Sequence, residues 1–247
     1  MESFYDWFRT LYNDTGFNFV YFYEEYERER FIRGFWLTIY LSVTCVVFSV
    51  IIGVVGAWLQ GSNLKITRRI VQGYIQFFRN TPPLVQLFFF YFGLGAFTPS
   101  VDAGGYYEPI IGSFGWAVIS LSFFAGAFNV EIFRSGIEAV PESTREAAEA
   151  LGYNRLQAYI HVILPLAFRV CLPALNNNLV NLVKTTTLAY AIAVPELMYT
   201  ANQIWSDNVN VPEMMMTLWI VYILLVGVLV WAMHRWERKM RIPGYGQ

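Results

Sequence analysis

An all-α membrane protein with five transmembrane helices is the fold class this sequence predicts. Three observations carry it. The 247 residues are 56% hydrophobic and only 14% charged, against about 25% charge in a soluble domain. Four stretches contain no Asp, Glu, Lys or Arg and supply the ~20 apolar residues that a bilayer core demands. The loops joining them alternate between basic and non-basic, as a multi-pass chain requires.

Taken in order, residues 1–33 form an aromatic, charge-rich segment, expected as an amphipathic helix on the outer interface. Gly34–Leu64 is the first expected span. Asn80–Val101 is the second, entered from the amphipathic run RRIVQGYIQFFR, and Pro109–Val130 is the third. Leu172–Val194 is a weaker fourth, because it carries asparagines and Lys184. Met214–Met233 is the last. One transmembrane domain over 34–236 and a short tail over 237–247 account for the rest, and no internal repeat is evident.

Loop charge sets the orientation. Lys65, Arg68, Arg69 and Arg79 lie between the first two spans without an acid. Asp102 and Glu108 follow the second span without a base. Arg134, Arg145, Arg155 and Arg169 flank or occupy the next loop. Glu196, Asp207 and Glu213 follow span four, and Arg235, Arg238, Lys239 and Arg241 close the chain. The positive-inside rule then puts the N-terminus outside and the C-terminus in the cytoplasm. The same alternation requires the weak fourth span.

Composition also narrows function. A net charge of −1 gives no basic surface for nucleic acid. No GxxxxGK[ST] loop is present, so any ATP hydrolysis must belong to another chain. Cys45 and Cys171 stand in apolar runs and read as small core fillers, although a disulfide is arithmetically possible. His161 and His234 have no metal-ligand spacing. The N-terminus is acidic and aromatic rather than basic and then apolar, so no cleavable signal peptide is expected.

The loop over about 138–165 is over-patterned for a connector. Ser143 and Glu146 have capping-box spacing. Ala147, Ala148 and Ala150 favour helix and leave a small surface that a partner can approach closely. Gly152 suits a left-handed helix stop, and Asn154 suits the cap of a second short helix. Leu164-Pro165 is expected to break the chain before the next span.

Glu146-Ala147-Ala148, three residues, Gly152, nine residues and Val162-Ile163-Leu164-Pro165 together resemble the EAA loop of ABC-importer permeases. The Val162 position holds Ile in that pattern. Phe78-Arg79-Asn80-Thr81-Pro82 with Gln86 is similar to a signature of the polar amino-acid permeases, which serve histidine, glutamine, glutamate, arginine and opine importers. Glu131–Ile137, Asn181–Leu188 and Glu237-Arg238-Lys239 are similar to further segments of that subfamily. The resemblance implies a type I ABC-importer permease fold in a bacterial inner membrane. It implies an ATPase dimer docked on Ser143, Glu146, Ala147, Ala148, Gly152, Leu164 and Pro165. It also implies a second permease chain, identical or sister, a solute-binding protein and an amino-acid substrate. ATP and Mg would sit on the ATPase, with no cofactor on this chain and no catalytic residue in it.

Polar residues inside spans are candidates for the substrate path. Asn177, Asn181, Lys184 and Thr185 follow one another by steps of four, three and one, which places them on one side of a helix. Two readings stay open: Lys184 meets a substrate carboxylate, or the stripe packs against another subunit. Glu131 and Arg134, spaced i, i+3, are expected to form a local or intersubunit ion pair, with a role as gate or substrate acid as the alternative. Arg79 sits at the entry to span two. An ion-gradient transporter and a membrane subunit of a redox complex are the competing functions. Both leave the patterned loop unexplained.

Overall fold

A computed structural model describes residues 2–102, 104–105 and 107–240. Arg241 and the rest of the expected tail over 241–247 lie outside the described residues. The chain begins with α1 (Glu2–Thr15), the single turn α2 (Val20–Tyr23) and the long α3 (Glu25–Gln60). Next come α4 (Lys65–Asn80) and α5 (Pro83–Phe88), which runs on through a wide π turn to Leu94 and a 3-10 turn to Phe97. Strands β1 (Ser100–Asp102) and β2 (Tyr107–Pro109) pair antiparallel, with Val101 opposite Glu108. After them come α6 (Ser113–Glu138), α7 (Glu142–Ala150), α8 (Arg155–Ala158), α9 (Leu164–Thr185), α10 (Leu197–Asn208) and α11 (Val211–Met240).

The protein is mostly helical. Four helices are long and apolar enough to cross a bilayer: α3, α6, the helical run Arg155–Ile192 and α11. The weak fourth span is therefore helical over its whole expected length up to Ile192. The second expected span is the shorter apolar run Pro83–Phe97. Little of the most apolar stretch of α11 is buried within the chain, so the helix leaves an apolar surface for lipid or another chain to cover. On α3 the exposed side chains Trp36, Tyr40, Val43, Val47, Ile51, Val54 and Trp58 recur every three or four residues and form a comparable apolar face.

Three expectations are corrected here. The acidic-basic run before Gly34 is not a separate helix but the first turns of α3, which starts at Glu25. Its charges are met locally: Glu25 and Glu27 lie in the first turn, where the helix dipole favours acids, and Arg33 bonds Glu29 at 2.8 Å. The all-α expectation misses the β1–β2 hairpin. The Leu164-Pro165 break is absent, since α8 passes through a π turn at Tyr159–Ile163 directly into α9. The π turn already opens the backbone ladder just ahead of Pro165, where proline has no N–H to give.

The chain forms two compact units, each built from three stretches. The first comprises 1–44, 87–119 and 183–227. Its core joins Val20 and Tyr21 to Leu197, Ala201 and Ile204 of α10 and to Met214 and Leu218 of α11. Polar bonds lock the same arm. The Asn18 N–H donates to Glu213 Oε1 at 3.0 Å, and the Asn210 amide donates to the Asn18 carbonyl at 2.8 Å. Arg30 bonds Asp207 at 2.7 Å, and the Asn208 amide donates to Glu27 at 3.0 Å.

Glu196 caps α10 from a fully buried position. Its carboxyl oxygens accept from the Tyr199 N–H at 2.8 Å, the Met198 N–H at 3.0 Å and the Tyr222 hydroxyl at 3.3 Å. The Leu197 N–H goes to Thr38 Oγ1 at 2.9 Å. Burial pushes the Glu196 carboxyl up to about 7, outweighing the backbone N–H groups that pull it down.

The second unit comprises 45–86, 120–182 and 228–247. Leu172, Leu175 and Leu179 of α9 pack on Val46 and Val50 of α3, Ile132 and Phe133 of α6 and Met233 of α11. Ala57, Val71, Ile75 and Val130 make a second cluster. Gly136 of α6 lets α9 come close: a Cβ there would stand 2.7 Å from the Ala167 carbonyl oxygen.

Two outcomes follow. Because that neighbour is backbone, Gly136→Val is expected to cost about 1–3 kcal/mol, read as a lower midpoint of thermal unfolding in detergent. Gly73→Ala, which meets open space, should leave the midpoint unchanged or raise it. Equal midpoints for wild type and Gly136→Val would contradict the packing. For Glu196, a carboxyl raised from 4.5 to about 7 means the folded state holds a proton the unfolded chain has lost. Its contribution to stability therefore falls as pH rises through that window. Glu196→Gln should flatten this fall, and identical pH–stability curves for the two proteins would contradict it.

Candidate functional site

The loop helix α7 begins at Glu142, two residues earlier than a Ser143 cap would place it. Pro141 occupies the cap position with φ −59 and ψ 142, and no side chain bonds there. Ser143 lies inside the helix, exposed, and the expected Ser143–Glu146 capping box does not form. The proline sets the entry, and Glu142 supplies the acid that a helix start favours. Arg145 forms ion pairs with Glu142 and, at 3.8 Å, with Glu149.

The other end of α7 is closed as the sequence suggests. Gly152 has φ +93. Its N–H donates to the Glu149 carbonyl at 3.0 Å, and the Tyr153 N–H reaches back to the Ala148 carbonyl at 3.2 Å. This pair of bonds is a Schellman closure, which satisfies carbonyls that a helix end leaves open. Asn154 then starts α8 with a reciprocal box: its side chain accepts from the Gln157 N–H at 2.9 Å, and the Gln157 side chain accepts from the Asn154 N–H at 3.0 Å.

The turn Tyr159–Ile163 lies against α7. Of the α7 residues, only Ala148 is buried. Glu146 and Ala147 are exposed, Leu151 just beyond is 81% exposed, and Leu164 and Pro165 are also open. The result is a short, mostly exposed helix, closed at its C-terminal end by backbone bonds, with Leu151 uncovered just beyond.

Inside the membrane-spanning part, Glu131 of α6 pairs with Arg79 at the end of α4, and the Arg79 guanidinium lies 5.2 Å from the Phe128 ring centre. Arg134 pairs instead with Glu138 at 2.7 Å. The expected Glu131–Arg134 pair is thus corrected. Glu138, one turn further on, meets Arg134 in the i, i+4 geometry, and Arg79 takes the carboxylate left over. Two candidates for the substrate path, Arg79 and Glu131, are brought together by this pairing.

The Thr81-Pro82-Pro83 turn that follows Arg79 withholds two N–H groups. Gln86 supplies the donor: its amide bonds the Phe78 carbonyl at 2.9 Å, the Thr81 carbonyl at 3.0 Å and the Thr81 hydroxyl at 2.6 Å. The spacing of proline and glutamine in the signature therefore has a structural reason. Burial of the Phe78 and Thr81 carbonyls without that amide would cost about 1–3 kcal/mol each.

On α9 the candidates separate. Asn177, Asn181 and Lys184 are exposed, and Thr185 is half-buried. Among the described residues Lys184 has no ion pair. The neighbouring Asn178 turns inward instead. Its amide donates to Asn129 Oδ1 at 2.8 Å and to the Ala125 carbonyl at 3.1 Å, and Asn129 in turn donates to Ser49 at 3.3 Å. Neither this chain of bonds nor the capping role of Glu196, read only as a loop acid, figures in the sequence expectations. The signal available was Asn129, a lone amide in an otherwise apolar span, which needs a partner in lipid. Cys45 and Cys171 are free and buried, as small fillers would be.

Residues 49–242 match the family described as "Binding-protein-dependent transport system inner membrane component". The chain is 30% identical over 212 residues to the "Probable amino-acid permease protein YxeN" of Bacillus subtilis, covering 86% of this chain and 92% of that protein. It is also 30% identical to the glutamine transport system permease protein GlnP of Escherichia coli, over 85% of this chain and 93% of the relative. With the L-cystine transport system permease protein TcyB of Bacillus subtilis it shares 34% identity, over 72% of this chain and 71% of the relative. Among solved structures, the crystal structure of an amino acid ABC transporter with histidines superposes with a TM-score of 0.75 at 29% identity, covering 86% of this chain and 94% of that one. The inward-facing MetNI methionine transporter shares the fold, with a TM-score of 0.66 at 21% identity, over 85% of this chain and 96% of that one. The exposed loop helix thus lies in a chain whose sequence matches over most of its length, and the chain belongs to the inner membrane components of binding-protein-dependent transport systems.

Proposed function

We propose that this chain is the permease subunit of an ATP-driven importer of a polar amino acid. It crosses the inner membrane five times, with the N-terminus outside. The observation that carries the coupling is α7: a proline sets its start, a Schellman closure ends it, only Ala148 is buried, and Leu151 is open. Such a helix suits docking in a groove of a separate ATPase dimer, which binds ATP and Mg. Closure of that dimer would move α7 as a rigid body and reorient the pore. A second permease chain, identical or sister, completes the pore, and an extracytoplasmic binding protein delivers the solute. Family membership favours this over the ion-gradient and redox readings.

The face of α9 bearing Asn177, Asn181, Lys184 and Thr185 lines the path or meets the second permease. An exposed ammonium is costly against lipid, so this face is turned away from it. The Arg79–Glu131 pair is proposed as a polar element of the same path. Relatives whose names specify glutamine and cystine match at similar identity, which leaves the individual amino acid to the binding protein and to experiment.

Two substitutions test this reading. A side chain at Gly152 must adopt a positive φ at a cost of about 1–3 kcal/mol, which loosens the end of α7. Gly152→Glu is expected to insert normally but to lose ATP-driven uptake in reconstituted vesicles. Uptake at the wild-type rate would contradict the docking role. Lys184→Ala should lower uptake while leaving assembly with the ATPase intact if Lys184 faces the substrate. Normal uptake would remove that role.

A further inference from the structure

The second unit carries a two-part recess whose wall includes Leu164 and Pro165 at the end of the patterned loop. Between α3, α6 and the start of α9 lies a groove of about 540 Å³ lined by Val50, Val54, Trp58, Phe133 and Phe168, among other apolar residues. Such a volume is in the range of ligand sites, roughly 300–1,000 Å³. Trp58 is 72% exposed at its mouth. Ala57, Trp58, Ile137 and Tyr159 also belong to the wall of a wider cleft of about 1040 Å³, where α3 ends and α4 begins. A side recess of about 350 Å³ shares Gln60, Arg68 and Arg134 with that cleft and adds Lys65 and Arg69. An apolar slot thus opens at one end into a basic mouth.

The charges there are unequal. Arg134 is met by Glu138 at 2.7 Å. Lys65, Arg68 and Arg69 have no ion pair among the described residues, and no carboxylate lies between them in sequence. Gln60 adds a second feature. It is only 8% exposed, its amide nitrogen donates to Gln72 at 3.1 Å, and its Oε1 is buried without a partner. A buried acceptor left open calls for a ligand that brings a donor.

We infer that this recess binds one anionic phospholipid with a hydroxyl-bearing headgroup, of the phosphatidylglycerol class. An acyl chain occupies the groove along Val50, Val54 and Phe168. The phosphodiester meets Lys65, Arg68 and Arg69, and a headgroup hydroxyl donates to Gln60 Oε1. The basic mouth alone would suit free phosphate, and the apolar groove alone would suit any hydrocarbon chain. Their continuity at the basic end of membrane-spanning helices selects a molecule with both parts, since basic pockets at that depth attract anionic headgroups. The inference does not depend on which solute is carried.

The test uses the assembled permease–ATPase complex in detergent, with lipid retention followed by native mass spectrometry. Wild type should retain phosphatidylglycerol in preference to phosphatidylcholine, and millimolar inorganic phosphate should not displace it. Arg68→Gln with Arg69→Gln should weaken retention by about fivefold per charge removed. Val54→Trp, which fills the groove and leaves the charges, should weaken it too. Equal retention of the two lipids, displacement by phosphate, or no retained lipid on the wild-type complex would each overturn the site. The selectivity arm uses wild type alone, so it stands even if a variant fails to fold. Loss of lipid selectivity with amino-acid uptake intact would reject this site and leave the transport reading standing.

Discussion

The constraint behind this structure is that hydrocarbon offers no water to the main chain. Every N–H and C=O within the bilayer must find its partner in the protein. The helices follow from that, and so do the repairs wherever a helix cannot continue. Pro82 and Pro83 remove two donors, and Gln86 returns an amide to the Phe78 and Thr81 carbonyls. Ahead of Pro165 the ladder opens into a π turn. Asn178, Asn129 and Ser49 satisfy one another in the same spirit.

The patterned loop obeys a different rule. Outside the bilayer a helix end can be satisfied by water, so closure by side chains and Schellman bonds adds rigidity rather than permission to exist. The Gly152 closure and the Asn154–Gln157 box give α7 and α8 defined ends without help from the membrane domain. That self-sufficiency lets α7 leave its surface open. A helix needing tertiary burial for stability would have no free face for a partner.

Much of this was legible in the sequence because composition and local chemistry decide it. Uncharged runs marked three of the four long apolar helices, and loop charge asked for the weak span that the structure builds as the remaining one, while the run at Asn80–Val101 holds only the shorter apolar helix Pro83–Phe97. Gly152 and Asn154 announced their caps because those depend on a few adjacent residues. Ser143 failed because Pro141, two residues earlier, took the cap position with a fixed φ. The partner of Arg134 was undecidable from spacing, since Glu131 and Glu138 both lie within reach on one helix. The choice depends on Arg79, which is 52 residues from Glu131 and arrives only on folding. Asn177 and Asn178 are one residue apart, yet the helix turns one outward and the other into the bond with Asn129. Spacing finds the stripe, but only packing says which neighbour it excludes.

The proposed coupling role requires α7 to touch a soluble ATPase and does not require the β1–β2 hairpin to do so. Site-specific cross-linking in native membranes tests it most directly. Cys45 and Cys171 are buried and would be replaced by serine, after which a single cysteine is placed by Ala147→Cys or by Tyr107→Cys. A cross-link to the ATPase is expected from position 147 and none from position 107. A cross-link from the hairpin, or none from the loop in an assembled and active complex, would contradict it.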